Sequence, residues 1–156
     1  MKFSLKILAL LLLCVSAAAL AADTVTTSGD GGSDPVLVAA RTAIAQQDWA
    51  GAQRGLQAAL VANPQNADYH NLYAYSIRKG PKPNMELVFK HYGEAIKLNP
   101  KHRAAHEYAG EAYLMVNDLS KAKQHLDALK KLCFLPCAEY TDLKKSVAAY
   151  EAKPKS

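Results

Sequence analysis

The sequence lacks the short motifs that mark a catalytic or cofactor-binding centre. Its 156 residues contain no G-x-S-x-G nucleophile elbow, no phosphate loop and no H-E-x-x-H zinc motif. The clustered glycines Gly29, Gly31 and Gly32 neither follow a predicted strand nor open a helix, as a dinucleotide-binding loop would require. We therefore predict a protein without catalytic residues and without a cofactor.

Strong charge of one sign is also missing. The net charge is +5, and residues 121–156 hold eight lysines, but four carboxylates lie among them and residues 22–120 are close to neutral. Nucleic-acid binding needs a concentrated basic face. We predict no nucleic-acid partner and interpret the lysine-rich end as a solvated helix surface.

Cysteine is scarce, with only Cys14, Cys133 and Cys137. Cys133 and Cys137 have the spacing C-x3-C, which differs from the C-x2-C of thioredoxin-like and zinc sites. We expect these two to form a disulfide; the alternative is a metal-binding or redox-active pair. His102 and His106 are the only histidines at helical i, i+4 spacing, and we interpret them as packing residues rather than metal ligands.

The first 21 residues have the order of a secretory signal peptide. Lys2 and Lys6 precede an apolar run, and Ala19-Leu20-Ala21 is an A-x-A cleavage pattern that places the cut after Ala21. Two alternatives remain open, a short uncleaved anchor and lipidation at Cys14. Cleavage would lower the net charge of +5 by the two charges of Lys2 and Lys6. The prediction is a periplasmic or secreted protein without stable membrane insertion after cleavage, with residues 22–33 as a flexible lead.

The remainder shows helical periodicity without the two-residue alternation of a half-buried strand. Asp34-Pro35 is a helix-start signal, and later breaks occur at Asn63-Pro64, Gly80 to Pro83, Asn99-Pro100 and Pro136. Seven helices are predicted, at about 35–46, 49–62, 66–79, 84–98, 102–116, 119–132 and 138–151.

The chain repeats itself. Ala59 to Pro64 matches Ala95 to Pro100 at a separation of 36 residues, and small residues recur at Ala40, Ala74 and Gly110. A two-helix period near 34 resembles the tetratricopeptide repeat (TPR), whose pattern is W-x2-L-G-x2-Y, A-x3-F and P. The third repeat has His106, Ala109, Gly110, Tyr113, Ala122 and Leu126 at these places. The second has His70, Tyr73, Ala74, Ile77, Val88, Tyr92 and Pro100, and the first has Val36, Ala39, Ala40, Ala43, Ala52, Leu56 and Pro64.

The resemblance implies an all-α fold, an α-solenoid of three TPR helix pairs with a C-terminal capping helix. The repeats would occupy residues 34–135, divided at about 34–66, 67–102 and 103–135. Residues 136–152 would form the capping helix, with an apolar stripe from Tyr140 to Tyr150, and residues 153–156 a tail. The whole chain is also similar to small exported single-domain bacterial TPR proteins.

In such proteins the first helix of each pair lines a concave groove. The resemblance then places these residues in a partner-binding groove: Leu37, Arg41, Ile44, Asn71, Tyr75, Arg78, Glu107, Glu111 and Leu114. This set is basic in the first two repeats and acidic in the third, which favours a protein or peptide of the cell envelope with ends of opposite charge. The alternatives are a structural subunit docked through its convex face or cap helix, and a metal or redox carrier that uses Cys133 and Cys137. The oligomeric state does not follow from the sequence.

Overall fold

The computed structural model describes residues 34–153. The predicted signal peptide with Cys14, the predicted lead 22–33 and most of the predicted tail lie outside these residues. The described chain forms seven α-helices and no strand, which confirms the predicted all-α fold. They are α1 (Pro35–Ala45), α2 (Trp49–Ala62), α3 (Ala67–Lys79), α4 (Met85–Leu98), α5 (Arg103–Met115), α6 (Leu119–Leu132) and α7 (Ala138–Glu151).

Short polar side chains start the helices. An Asp or Asn at the N-cap accepts a hydrogen bond from a first-turn amide and so satisfies a donor that has no partner within the helix. His102 does the same for α5 through Nδ1, which accepts from the Ala105 amide at 3.3 Å. The other caps are Asp34, Asp48, Asn66, Asn84 and Asp118.

Two tight turns repeat within the first and third helix pairs. Gln47 and Asn117 precede the caps Asp48 and Asp118, and both have positive φ, at 58° and 62°. This left-handed backbone lets the chain reverse in few residues. The second pair instead uses the longer connection from Gly80 to Asn84, where the sequence predicted a break at Gly80 to Pro83.

The core lies between neighbouring helix pairs. Small residues let the helices approach, since Ala40, Ala74 and Gly110 are buried, and Leu56 and Tyr92 fill the space between them at 0% and 1% exposure. In the third pair, however, Leu126 is only half-buried, and Leu129 is the fully buried large residue of α6. A single helix, rather than a helix pair, follows α6, and so less of its surface is covered.

Helix α7 closes the end of the stack, as the apolar stripe predicted. Leu143 and Val147 are buried against α5 and α6 at 0% and 4% exposure. The Tyr150 hydroxyl donates to Asn117 Oδ1 at 3.0 Å, and Lys123 pairs with Glu151 at 2.6 Å. No described helix is both long and apolar enough to cross a membrane.

Glycine 110 makes the close approach of α7 possible. A Cβ added there would lie 2.5 Å from Leu143 Cδ2, whereas a Cβ on Gly93 would meet nothing within 4 Å. Alanine improves helix propensity over glycine by about 1 kcal/mol, but overpacking a core costs about 1–3 kcal/mol. We expect Gly93→Ala to raise the free energy of unfolding by about 1 kcal/mol and Gly110→Ala to lower it by about 1 kcal/mol in urea titrations.

The two variants control each other, because the chemical change is the same and only the surroundings differ. A Gly110→Ala protein as stable as Gly93→Ala would contradict the tight contact between α5 and α7.

Candidate functional site

The first helices of the pairs form one continuous face. Helices α1, α3, α5 and α7 contact each other in succession, whereas within residues 34–153 the second helices α2, α4 and α6 make no contact with one another. A stack in which one row of helices is closer together curves toward that row. The face formed by α1, α3, α5 and α7, here called the inner face, is the candidate site.

The predicted groove residues differ in exposure. Arg41 is exposed, while Ile44, Tyr75, Glu107, Glu111 and Leu114 are half-buried. Asn71 and Arg78 are buried at 3% and 7%. Leu37 is 2% exposed and lies in the core, and so its predicted place in the groove is wrong. It is buried in the core cluster that also contains Leu56 of α2 and Tyr69 of α3.

Arg78 is the centre of a polar network on the inner face. Its guanidinium pairs with Glu111 at 2.9 Å, and its Nε donates to the Tyr92 hydroxyl at 3.3 Å. The same group lies over the rings of Tyr75 and Tyr108, at 5.4 and 5.7 Å from their centroids. Such stacking suits the planar, weakly hydrated guanidinium. The predicted separation of basic and acidic halves is therefore wrong at this point, since Arg78 and Glu111 neutralise each other.

Aromatic side chains extend this network into a row. The Tyr75 ring lies 4.7 Å from Tyr108 and 6.5 Å from Trp49, and Tyr108 lies 6.5 Å from Tyr92. Burial raises the pKa of Tyr108 to about 12, and so its hydroxyl stays neutral. Sequence reasoning named Tyr75 alone as a groove residue. Trp49 and Tyr108 were missed because they lie on different helices from Tyr75, and the only available signal was their aromatic character.

Acidic groups gather between α5 and α7. Burial, followed by the charges of Glu111, Asp142 and Glu139, raises the pKa of Glu107 from 4.5 to about 7. One of these neighbours is partly neutralised, since Glu139 lies 3.6 Å from Arg103. The acidic part of the inner face, predicted from Glu107 and Glu111, thus includes two carboxylates of the cap helix.

Asn71 lies one helical turn before Tyr75 on α3. Its Oδ1 is buried and has no hydrogen-bond donor among the described residues. An unpaired buried carbonyl costs about 1–3 kcal/mol, which a donor reached by rotation of the side chain would recover. Asn71 therefore retains unused hydrogen-bonding capacity beside the aromatic row.

Arg41 lies on α1, at the other end of the inner face, and its charge affects Asp68. The pKa of Asp68 is lowered, first by its hydrogen bond with His102 and further by the charges of His102 and Arg41, while burial opposes the shift. The contact joins His102 Nε2 to Asp68 Oδ1 at 3.3 Å. A carboxylate thus links α1, α3 and the start of α5.

Four histidines form two equivalent pairs in successive repeats. His70 Nδ1 lies 2.7 Å from His91 Nδ1, and His106 Nδ1 lies 3.1 Å from His125 Nδ1. In each pair the first ring also uses Nε2, which bonds the carbonyl of Pro64 or Pro100 at 2.9 or 3.1 Å. Because a proline carbonyl can only accept, Nε2 carries the proton and Nδ1 accepts from the partner ring.

The two histidines at i, i+4 spacing, His102 and His106, have different partners. His102 bonds Ala105 and contacts Asp68, whereas His106 bonds Pro100 and His125. Both therefore have structural partners of their own. Among the described residues, no cluster of three or more His, Cys, Asp or Glu is arranged to hold a metal ion.

Cys133 and Cys137 connect the end of α6 to the start of α7. Their sulfurs are joined at 2.06 Å, and their Cα atoms lie 5.8 Å apart. This disulfide, which the sequence analysis expected, bridges the corner between the third repeat and the cap helix.

The helix pairs, their shared core and the inner face define an α-helical repeat scaffold. Residues 37–82 match the family model of the tetratricopeptide repeat. This match and the fold agree with the tetratricopeptide repeat that the sequence pattern resembles.

Solved structures with the same fold extend beyond the matched segment. The type III secretion translocator chaperone SycD of Yersinia enterocolitica has a TM-score of 0.66 at 15% identity, covering 74% of this chain and 81% of that chain. SycD in complex with a peptide of the translocator YopD gives 0.62 at 16%, covering 74% and 86%. The first TPR domain of human RPAP3 gives 0.63 at 17%, covering 75% and 90%. Among curated protein sequences, none matches this chain.

Proposed function

We propose that this protein binds a segment of another cell-envelope protein along its inner face, without catalysing a reaction. The observation that carries the proposal is the stripe formed by Asn71, Tyr75 and Arg78 on α3. These residues lie three or four positions apart and therefore share one helix face. Tyr75 is partly exposed, and beside it Asn71 and Arg78 are buried, the first with an unpaired amide oxygen and the second with a charge held in place by Glu111.

The chemistry of the stripe suits a peptide. Rotation of the buried Asn71 side chain would bring its Oδ1 to a peptide N–H, the donor that it lacks. Flat rings give large contact area with little loss of side-chain freedom. Because Arg78 is fixed by Glu111, Tyr75 and Tyr108, the aromatic surface is preorganised, which reduces the entropic cost of binding. The carboxylates near Glu107 add a preference for a segment with a basic residue at that end.

The structural neighbours support this use of the fold. SycD is a translocator chaperone, and one of its structures contains a peptide of the translocator YopD. At 16% identity the similarity does not extend to a particular ligand. The proposal for this chain accordingly names the binding face and the chemistry of the segment.

We further propose that the protein acts in the periplasm after export. The support is the order of charged, apolar and small residues in positions 1–21, together with Cys133 and Cys137 at disulfide distance. Disulfides persist in oxidising compartments such as the bacterial periplasm. Mass measurement on protein from the envelope fraction tests this part, since cleavage after Ala21 predicts an N-terminus at Ala22.

The binding face is tested by placing a photo-crosslinking phenylalanine derivative at Tyr75 or, as a control, at Lys90. Tyr75 borders the inner face, whereas Lys90 is exposed on α4, outside the inner face. We expect irradiated cells to give a discrete crosslinked protein from Tyr75 and none from Lys90. A Tyr75→Ala variant should reduce recovery of the same protein by affinity purification. Crosslinks from Lys90 alone would reject the inner face and favour docking through the opposite side.

A further inference from the structure

The connection between α6 and α7 carries the most exposed apolar side chain of the described chain. Phe134 is 100% exposed and Leu135 is 73% exposed. Both lie between Cys133 and Cys137, and the five residues 133–137 are here called the disulfide tip. Exposed apolar residues are common singly, but two adjacent large ones on a protruding turn indicate a binding surface.

The disulfide keeps these side chains in solvent. The bridge closes the chain after the last turn of α6 and before the first turn of α7, with the Cα atoms 5.8 Å apart. Residues 134–136 must therefore bulge outward, and Phe134 and Leu135 pack against no part of either core cluster. The tip is a fixed convex projection. Such a shape suits insertion into a lipid surface better than enclosure of a ligand.

Two lysines precede the tip, and the carboxylate that follows it, Glu139, lies 3.6 Å from Arg103. Lys130 and Lys131 are exposed in the last turn of α6, and neither forms an ion pair with another described residue. From residue 128 to residue 138 the sequence contains no carboxylate. At a membrane surface, lysine ammonium groups meet anionic lipid headgroups while neighbouring apolar side chains enter the acyl boundary. The tip and the end of α6 supply both kinds of side chain.

We propose that the disulfide tip docks this protein on an anionic phospholipid surface, with Phe134 and Leu135 in the headgroup boundary and Lys130 and Lys131 on lipid phosphates. The contact is peripheral and reversible, because two side chains bury little apolar area. It involves none of the inner-face residues Asn71, Tyr75 and Arg78. Loss of the membrane contact would therefore leave peptide binding unchanged, and loss of peptide binding would leave the membrane contact unchanged.

The test is flotation of the purified full chain with phosphatidylethanolamine vesicles that contain or lack phosphatidylglycerol. We expect binding to the anionic vesicles, weakening as salt is raised, because screening shortens to about 3 Å at 1 M ionic strength. Lys130→Gln with Lys131→Gln should weaken binding about thirtyfold, roughly fivefold for each lysine near the surface. Phe134→Ser with Leu135→Ser should weaken it at least about tenfold.

Val61→Ser is the matched control, because Val61 is 83% exposed on α2, outside the disulfide tip. It should bind as the native protein does. All variants share the same N-terminal residues, and differences between them report the tip. Equal partitioning of the tip variant and the native protein would overturn the proposal.

A second measurement locates the contact directly. Phe134→Trp in a Trp49→Phe background gives a protein with one indole, at the tip. A blue shift on anionic vesicles and quenching by brominated lipids would support insertion. Emission unchanged by the vesicles would overturn it and would leave the tip as a contact for a protein partner.

Discussion

Replacing Arg78 with methionine is expected to lower the free energy of unfolding by about 3 kcal/mol, the lower end of the range for breaking a buried ion pair. The guanidinium is 6% exposed and pairs with Glu111, whose side chain is 29% exposed. Methionine fills a similar volume but leaves the Glu111 carboxylate without a counterion, beside Glu107 and Tyr108. The value is at the lower end because Glu111 keeps some contact with water.

Two further variants identify the cause. Arg78→Met combined with Glu111→Leu should recover most of the loss, because no unpaired charge remains. Lys97→Met removes an ion pair with Glu94 in which the lysine is 74% exposed, and its effect should stay below about 0.5 kcal/mol. Urea titrations measure all three. Equal effects of Arg78→Met and Lys97→Met would contradict a buried network.

Acidification is expected to destabilise the protein by about 2 kcal/mol between pH 6.5 and pH 4.5. Burial, and then the neighbouring ring of each pair, lowers the pKa of His91 and of His125 from 6.5 to about 4. Lys90 lowers the pKa of His91 further, Glu94 opposes this, and the Tyr73 and Tyr113 rings face the two imidazoles. In this range the unfolded chain takes up protons that the folded histidines exclude. The free energy of unfolding therefore falls as the pH is lowered.

Glu107 acts in the opposite direction. Its pKa is raised to about 7 in the folded protein, and so the folded state holds a proton there that the unfolded state releases above pH 4.5. His91 and His125 against one carboxyl leave about one net proton taken up on unfolding, and burial lowers the pKa of His106 in the same direction. That gives close to 3 kcal/mol over two pH units, reduced to about 2 kcal/mol because the groups are partly screened by solvent.

Substitutions separate these contributions. His91→Gln with His125→Gln keeps an amide donor for each partner ring but cannot titrate, and it should at least halve the loss on acidification. Glu107→Gln should increase that loss. Thermal melts at pH 6.5 and pH 4.5 provide the measurement. A loss that the double glutamine variant leaves intact would show that the histidine pairs do not cause it.

The helices and their order could be predicted because their signals are local. Asp34-Pro35 and the two Asn-Pro breaks act through the backbone of the residues beside them, and all seven helices appear close to their predicted bounds. The small residues Ala40, Ala74 and Gly110 indicated the repeat because each helix pair needs a small buried residue at the same place, where helices pack closely. The failure at Leu37 has a simple cause: Leu37 and Arg41 are one helical turn apart, but only Leu37 is covered by the neighbouring helices, and spacing along α1 does not show this.

The partners within the site could not be predicted. Arg78 and Glu111 are far apart in sequence, and only the stacking of α3 on α5 brings them to 2.9 Å. The same is true of Trp49 beside Tyr75, and of the carboxylates of α7 beside Glu107. Spacing along one helix shows which residues share a face, but it does not show what the next helix places opposite them.

The sequence by itself determined a helical repeat protein with a capping helix, because capping, proline breaks and helical periodicity depend on neighbouring residues. The tertiary structure decided which charges are neutralised, which histidines pair and which apolar residues remain in solvent. Those properties depend on contacts between helices, and the rotation and offset of one packed helix against another are set by the whole core. Phe134 shows the difference. Phenylalanine is a residue type expected in the core, yet Phe134 is fully exposed.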